Sequence, residues 1–250
     1  MPTPKVYFRP GSFTCGRTKE FLSSHGIAYV NGDVEHDQAS RDELLARGIK
    51  AVPVTIWDDH VVIGFNPTAL ARLFNLSDAV AVVALPTMLE KYAIVLTAAC
   101  RAFRQLPADR WDWESPERKR TLGQFCFHLS DRPDRALHAY RVGVYANEDR
   151  GREIQNVLGE VGFEAVARNV EEVLRRVQEA LSGPTVINLD KKLETYMGDK
   201  TAGEMMDLAL GHSVHHLKQL YAYMGMMGLE PVDPLGAEDF AGIAVPTELF

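Results

Sequence analysis

Hydrophobic positions along the chain change period near residue 76. Before it, short runs rich in β-formers alternate with helix-like stretches. Val6–Phe8, Ala28–Asn31, Val54–Trp57 and Val61–Ile63 read as strands, and Thr18–His25, Ser40–Arg47 and Thr68–Leu73 as helices. Asp37 or Ser40 is a candidate cap for the second of these helices, and Gly48 can close it. The order β-α-β-α-β-β-α predicts a small sheet with helices on both faces.

After residue 85 no strand is expected. A first long helix opens at Pro86 and runs to about Leu106. A second starts near Ser115-Pro116-Glu117 and ends around Arg132-Pro133. In a third, about Phe163 to Leu181, Val166, Val170, Val173, Leu174 and Val177 recur at helical spacing. The fourth runs from about Thr201 to Met227, closed by Gly228 and Pro231. Four such helices predict an all-α four-helix bundle behind the α/β domain. The expected division is residues 1–76 for the α/β domain, 77–85 for a linker and 86–250 for the bundle. The apolar run Ala79 to Leu89 is interrupted by Pro86 and is too short to span a bilayer.

Charge follows the same division. Residues 1–76 hold eight basic and eight acidic side chains, so the net charge of −7 belongs to the remainder. An acidic balance without a basic stripe argues against nucleic-acid binding. Three distant cysteines, Cys15, Cys100 and Cys126, give no disulfide framework, and the first residues lack a signal peptide's apolar core, so the expected location is a reducing cytoplasm.

The first candidate site is Cys15, read as lying just ahead of a helix, where the helix dipole and open amides favour a thiolate. Val52-Pro53-Val54 leads into a strand, and a cis bond at Pro53 would expose the Val52 backbone beside that cysteine. Val6-Tyr7-Phe8-Arg9-Pro10, Cys15-Gly16-Arg17-Thr18-Lys19, Gly26-Ile27-Ala28-Tyr29, Val52-Pro53-Val54 and Gly64-Phe65-Asn66-Pro67 together resemble a glutaredoxin, and more closely the glutaredoxin-like redoxins that serve ribonucleotide reductase. The resemblance covers residues 5–74 and implies a thioredoxin fold. Those redoxins use Cys-x-x-Cys with the first cysteine as nucleophile. Aligned without gaps, this chain reads Ser12-Phe13-Thr14-Cys15, with Ser12 on the nucleophile position and Cys15 on the resolving one. Ser12 is then a candidate donor to the thiolate of a bound small thiol, as in serine-type glutathione transferases. Arg9 is a candidate partner for its carboxylate, and Val52 for its peptide unit. The plainer reading makes Ser12 a helix cap and the domain an interface. Gly64-Phe65-Asn66-Pro67 is similar to redoxins that bind glutathione poorly.

The second candidate site is histidine-rich. Gly211-His212-Ser213-Val214-His215-His216 places His212 and His216 four residues apart, a rotation of about 400°, so on a helix they share one face. Two imidazoles at that spacing form half of many Zn, Ni or Fe sites, and His215 fits as an alternative to His216 on spacing alone. The mostly apolar stretch Thr121 to Asp131 carries His128. With Gly203-Glu204-Met205-Met206 and the run to Leu220, it resembles the DinB-like metal-binding bundles over about residues 86–230. The resemblance implies His128, His212 and His216 as ligands of a divalent metal and His215 as a non-ligand position; His138 and His215 read as surface or supporting residues. Members of that family resemble S-transferases and isomerases that use mycothiol or bacillithiol. Cys100 and Cys126 read as small core residues.

The expected function is a metal-dependent enzyme that uses a glutathione-like thiol in an S-transferase, lyase or isomerase reaction on a small electrophile. The alternatives are a non-enzymatic metal- and thiol-binding interaction module, or a monothiol oxidoreductase acting through Cys15. Expected partners are the thiol and the electrophile, with no nucleic acid and no membrane; the bundle is compatible with a homodimer.

Overall fold

The computed structural model describes residues 3–76, 82–117, 119–147 and 159–250. Most of the expected linker, residues 77–81, lies outside them. The chain folds into two compact units: Met1–Ala81 with Glu194–Asp199 and Ala244–Phe250, and Val82–Leu193 with Lys200–Ile243.

The first unit is a four-stranded sheet in the order β2-β1-β3-β4, built from β1 (Lys5–Phe8), β2 (Val30–Asp33), β3 (Val54–Trp57) and β4 (His60–Ile63). β1 runs parallel to β2 and antiparallel to β3, which pairs antiparallel with β4. A crossover helix separates the parallel pair, as parallel pairing requires: α1 (Phe13–Ser24). α2 (Gln38–Ala46) and α3 (Pro67–Leu73) complete the unit. One sheet face buries Tyr7, Val34, Leu44, Val54 and Ile56. β2 lies two residues later than the hydrophobic run suggests, because its register with β1 sets Gly32 opposite Tyr7. α1 begins five residues earlier than its apolar spacing indicates, with Ser12 at the N-cap position and Gly16 N bonded to Ser12 O at 2.9 Å. Cys15 is therefore the third residue of the helix, inside its first turn. Asp37 caps α2, accepting from Ala39 N and Ser40 N, as anticipated. The Val52–Pro53 bond is cis. Gly64 has φ +73°, and a Cβ there would lie 2.1 Å from Met197 Cγ, so only glycine admits that methionine. Asn66 caps α3 through its oxygen and donates its amide to Met197 O at 2.7 Å.

The second unit is built on four long helices: α4 (Leu85–Phe103), α5 (Leu122–Val142), α6 (Phe163–Ser182) and α7 (Ala202–Met226). α4 packs on α6 and α7, and α5 on the same two, which closes a bundle. The ends of α6 and α7 fall within about a residue of the expected ones. α5 differs at both ends. Ser115 N bonds Arg120 O, and Glu114 bridges Thr121, so Ser115-Pro116 forms a turn instead of a helix start. The helix begins at a capping box in which Thr121 Oγ1 accepts from Gln124 N and Gln124 Oε1 accepts from Thr121 N. It then runs straight through Pro133 to Val142. Proline removes the amide that would bond the carbonyl four residues back, that of Leu129. Ser213 on α7 donates its hydroxyl to that carbonyl at 2.9 Å, with Ala209 O as the weaker branch at 3.2 Å. A buried acceptor left open by sequence is thus satisfied from another helix.

Strands do occur after residue 85. β5 (Val144–Tyr145), β6 (Lys192–Thr195) and β7 (Lys200–Thr201) form a small sheet in the order β5-β6-β7. At two to four residues each, they carry too little alternation to register as a period. Among the described residues, no helix is long and apolar enough to cross a membrane.

Candidate metal centre and redoxin-type turn

Both histidine-bearing helices start at a capping box. Thr121 opens α5 two turns before His128, and Thr201 opens α7, where Glu204 Oε2 accepts from Thr201 N at 2.6 Å. With both starts defined and the Ser213–Leu129 hydrogen bond joining the helices, neighbours of that bond face one another: His128 precedes Leu129, and His212 precedes Ser213.

His128, His212 and His216 offer ligand atoms that all lie within 4.8 Å of one another. His128 Nε2 and His212 Nε2 are 3.1 Å apart, and the three rings sit 4.3 to 4.9 Å between centroids. Two nitrogens on one tetrahedral metal, with bonds of about 2.0–2.1 Å, are about 3.3 Å apart. His212 and His216 are buried, and His128 is half-buried. Burial holds His128 well below the usual imidazole range, with Arg120 and the other two histidines adding to the effect. His212 is lowered in the same way, first by burial and then by His216 and Arg132. Neutral imidazoles are the form that binds metals.

His216 has a further constraint. Its Nδ1 lies 2.6 Å from Gln219 Oε1, one turn on along α7. An amide oxygen only accepts, so Nδ1 carries the proton and Nε2 keeps a lone pair for the cluster. Edges of Phe125 and Tyr223 continue the wall beside His216, and Tyr223 donates its hydroxyl to Glu117 Oε2 at 2.7 Å. The donor set fits a divalent metal of the Zn, Ni or Fe type, with three imidazoles, one ligand fewer than a tetrahedral ion takes. Gln219 and Ser213 were legible as types but carried no role in sequence; the one available signal was Gln219 three residues after His216, on the same helix face. His215 is buried against the His216 ring, at 5.2 Å between centroids, and His138 is exposed. Cys100 and Cys126 are core residues, as read: burial pushes the first thiol up to about 12 and the second well above its ordinary value.

The candidate thiol site of the first unit is assembled only in part. A cavity of about 160 Å³ is lined by Arg9, Ser12, Cys15 and Lys19, together with Glu248 and Phe250. Val52 and Pro53 do not line it. Val52 packs on the Tyr7–Val54 core, and the Pro53 carbonyl accepts from Gly64 N at 2.7 Å. Arg9 already pairs with Glu35 at 2.8 Å. Ser12 holds the N-cap position of α1, yet its hydroxyl makes no capping hydrogen bond.

A bundle with three converging histidines on two helices, preceded by a redoxin-type α/β unit, defines the class of protein. The DinB superfamily model matches residues 95–220, just over half the chain, and the chain belongs to that superfamily. The glutaredoxin family model matches residues 5–62. Over 72 residues the chain is 33% identical to an uncharacterized glutaredoxin-like 8.6 kDa protein in the rubredoxin operon of Clostridium pasteurianum, covering 28% of this chain and 96% of that one. It is 31% identical over 68 residues to the glutaredoxin-like protein NrdH of Lactococcus lactis subsp. cremoris, covering 27% of this chain and 94% of that one. A solved mutant of a thioredoxin-like protein is 35% identical, with a TM-score of 0.30, over 31% of this chain and all of that one. The chain therefore joins a glutaredoxin-like domain to a DinB-like helical domain.

Proposed function

We propose that this chain is a metal-dependent enzyme that uses a low-molecular-weight thiol in an S-transferase, lyase or isomerase reaction on a small electrophile. The observation that carries the reading is the convergence of three imidazoles, His128, His212 and His216, on one point between α5 and α7. A three-histidine set leaves a coordination position for an exogenous ligand, the pattern of a catalytic site. A divalent metal held there supplies Lewis acidity, which lowers the pKa of a coordinated thiol or water.

The chain's own residues do the rest. Gln219 holds His216 in the tautomer that presents Nε2. Phe125 and Tyr223 shield one flank of the histidines from water. In the glutaredoxin-like domain, the Ser12 hydroxyl is the proposed donor to a thiolate. Arg9 is the proposed partner of the thiol's carboxylate, released from Glu35 when that carboxylate arrives. The expected environment is the cytoplasm, where such thiols stay reduced. The test is conjugation of a panel of small electrophiles with glutathione, mycothiol and bacillithiol. The intact protein should catalyse it, and chelation or His212→Ala should abolish it. Activity insensitive to both treatments would refute the reading.

A second reading, a non-enzymatic binding module, is favoured by one observation. Cys15 is only 1% exposed and lies in a cavity partly closed by the chain itself. That burial also weighs against a monothiol oxidoreductase acting through Cys15.

A further inference from the structure

We propose that the face of α1 around Cys15 is a docking surface for an extended peptide, and that the chain's own segment 244–250 occupies it as a strap. The proposal rests on the first unit alone and is independent of the metal site. Gly16, Lys19 and Glu20 are spaced at i, i+3 and i+4, one stripe of α1, with Arg17 beside it. Every one of them meets the segment. Arg17 donates to Ala244 O at 2.5 Å, with its guanidinium held over the Phe65 ring. Thr247 donates both its amide and its hydroxyl to Glu20 Oε1, at 2.6 and 2.7 Å. Lys19 pairs with Glu248 at 3.2 Å. Pro246 is buried against Gly16, where a Cβ would lie 2.7 Å from the proline ring.

These contacts differ from a passing surface loop. They combine side-chain hydrogen bonds to the segment's backbone at Ala244 and Thr247, a buried arginine and a charge pair at Glu248, the way a peptide is held on a preformed face. The consequence falls on the turn beneath. Glu248 and Phe250 form part of the wall of the cavity of about 160 Å³ that Ser12 and Cys15 also line. Sites that enclose a drug-sized ligand run to about 300–1,000 Å³. With the strap seated, the cavity falls below that range and Cys15 is 1% exposed. Release of the strap exposes the thiol and enlarges the cavity. A peptide with the same pattern, a proline followed by a hydroxyl residue and an acid, is the kind of partner that would compete for the face.

The experiment is the rate of N-ethylmaleimide modification of each cysteine in the native full-length chain, read by peptide mass spectrometry. Gly16→Ala introduces the Cβ that overlaps Pro246 while favouring the α1 helix; Glu20→Ala removes both Thr247 anchors. Each should raise the Cys15 rate by at least about tenfold, as expected when a locally closed segment opens more often. Cys100 and Cys126 should keep their wild-type rates, which shows that the fold is intact. An unchanged Cys15 rate in both variants overturns the proposal. So does a rise shared by all three thiols, which marks general loosening instead of strap release.

Discussion

The three-histidine cluster and the Ser12–Cys15 turn are both places where a helix presents reactive side chains, and they have been treated in opposite ways. In the bundle all three donors are in place; burial holds His128 and His212 well below their ordinary range, and Gln219 aims His216. In the redoxin-type unit the fold is complete, down to the cis bond at Pro53, while the nucleophile position holds Ser12 and the remaining cysteine is buried in a cavity that Glu248 and Phe250 also line. The two regions therefore differ in what surrounds their candidate residues, hydrogen-bonded support in the bundle and a buried cysteine in the redoxin-type unit. What separates the two regions is the state of the neighbours: Gln219 bonds His216 and Ser213 joins the two histidine-bearing helices, whereas Pro246 packs on Gly16 and Glu248 lines the cavity beside Cys15.

The sharpest break in that contrast comes from removing a ligand. His212→Ala should weaken metal binding by at least about 100-fold, more than loss of an outer partner, measured by competition with a chromophoric chelator. Retention of wild-type affinity would show that the cluster is a buried hydrogen-bonded group and nothing more. Gln219→Leu should leave all three ligands and lower affinity by about 10–100-fold through loss of the His216 tautomer. Ser213→Ala leaves the Leu129 carbonyl buried without its donor and should destabilise the bundle by about 1–3 kcal/mol, read from urea unfolding.

A pH series sharpens the comparison further. His128 and His212 titrate in the folded chain well below their ordinary 6.5. The unfolded chain takes up protons on them as pH falls through about 6.5, and the folded one does not, so stability falls in that direction. Metal-free protein should therefore show a flat unfolding midpoint above about pH 7 and a declining one below about pH 6.5, with the decline reduced in His212→Ala. The smallest effect is expected in the other region. Ser12→Cys restores Cys-x-x-Cys but leaves the strap, so disulfide reductase activity should stay near background until Gly16→Ala is added.

Much of this contrast was legible in sequence. The helical period and the flanking Gly and Pro residues placed α6 and α7, and the spacing of His212 and His216 set them on one face. What stayed hidden depends on partners remote in the chain. Pro133 reads locally as a helix end; it is tolerated because Ser213, 80 residues on, takes the freed carbonyl. The capping boxes at Thr121 and Thr201 are short-range signals, and Thr121-x-x-Gln124 marks the true start of α5 better than Ser115-Pro116 does. Nothing in residues 5–74 announces that segment 244–250 pairs with α1, since that contact spans 227 residues.

The central claim, a three-histidine centre that admits a thiol, is tested most directly by the electronic spectrum of the cobalt(II)-loaded protein. The account predicts one equivalent of cobalt per chain, a new sulfur-to-metal charge-transfer band when glutathione or another small thiol is added, and the loss of both in His212→Ala. Cobalt that fails to bind, or a bound spectrum indifferent to every thiol, would contradict it.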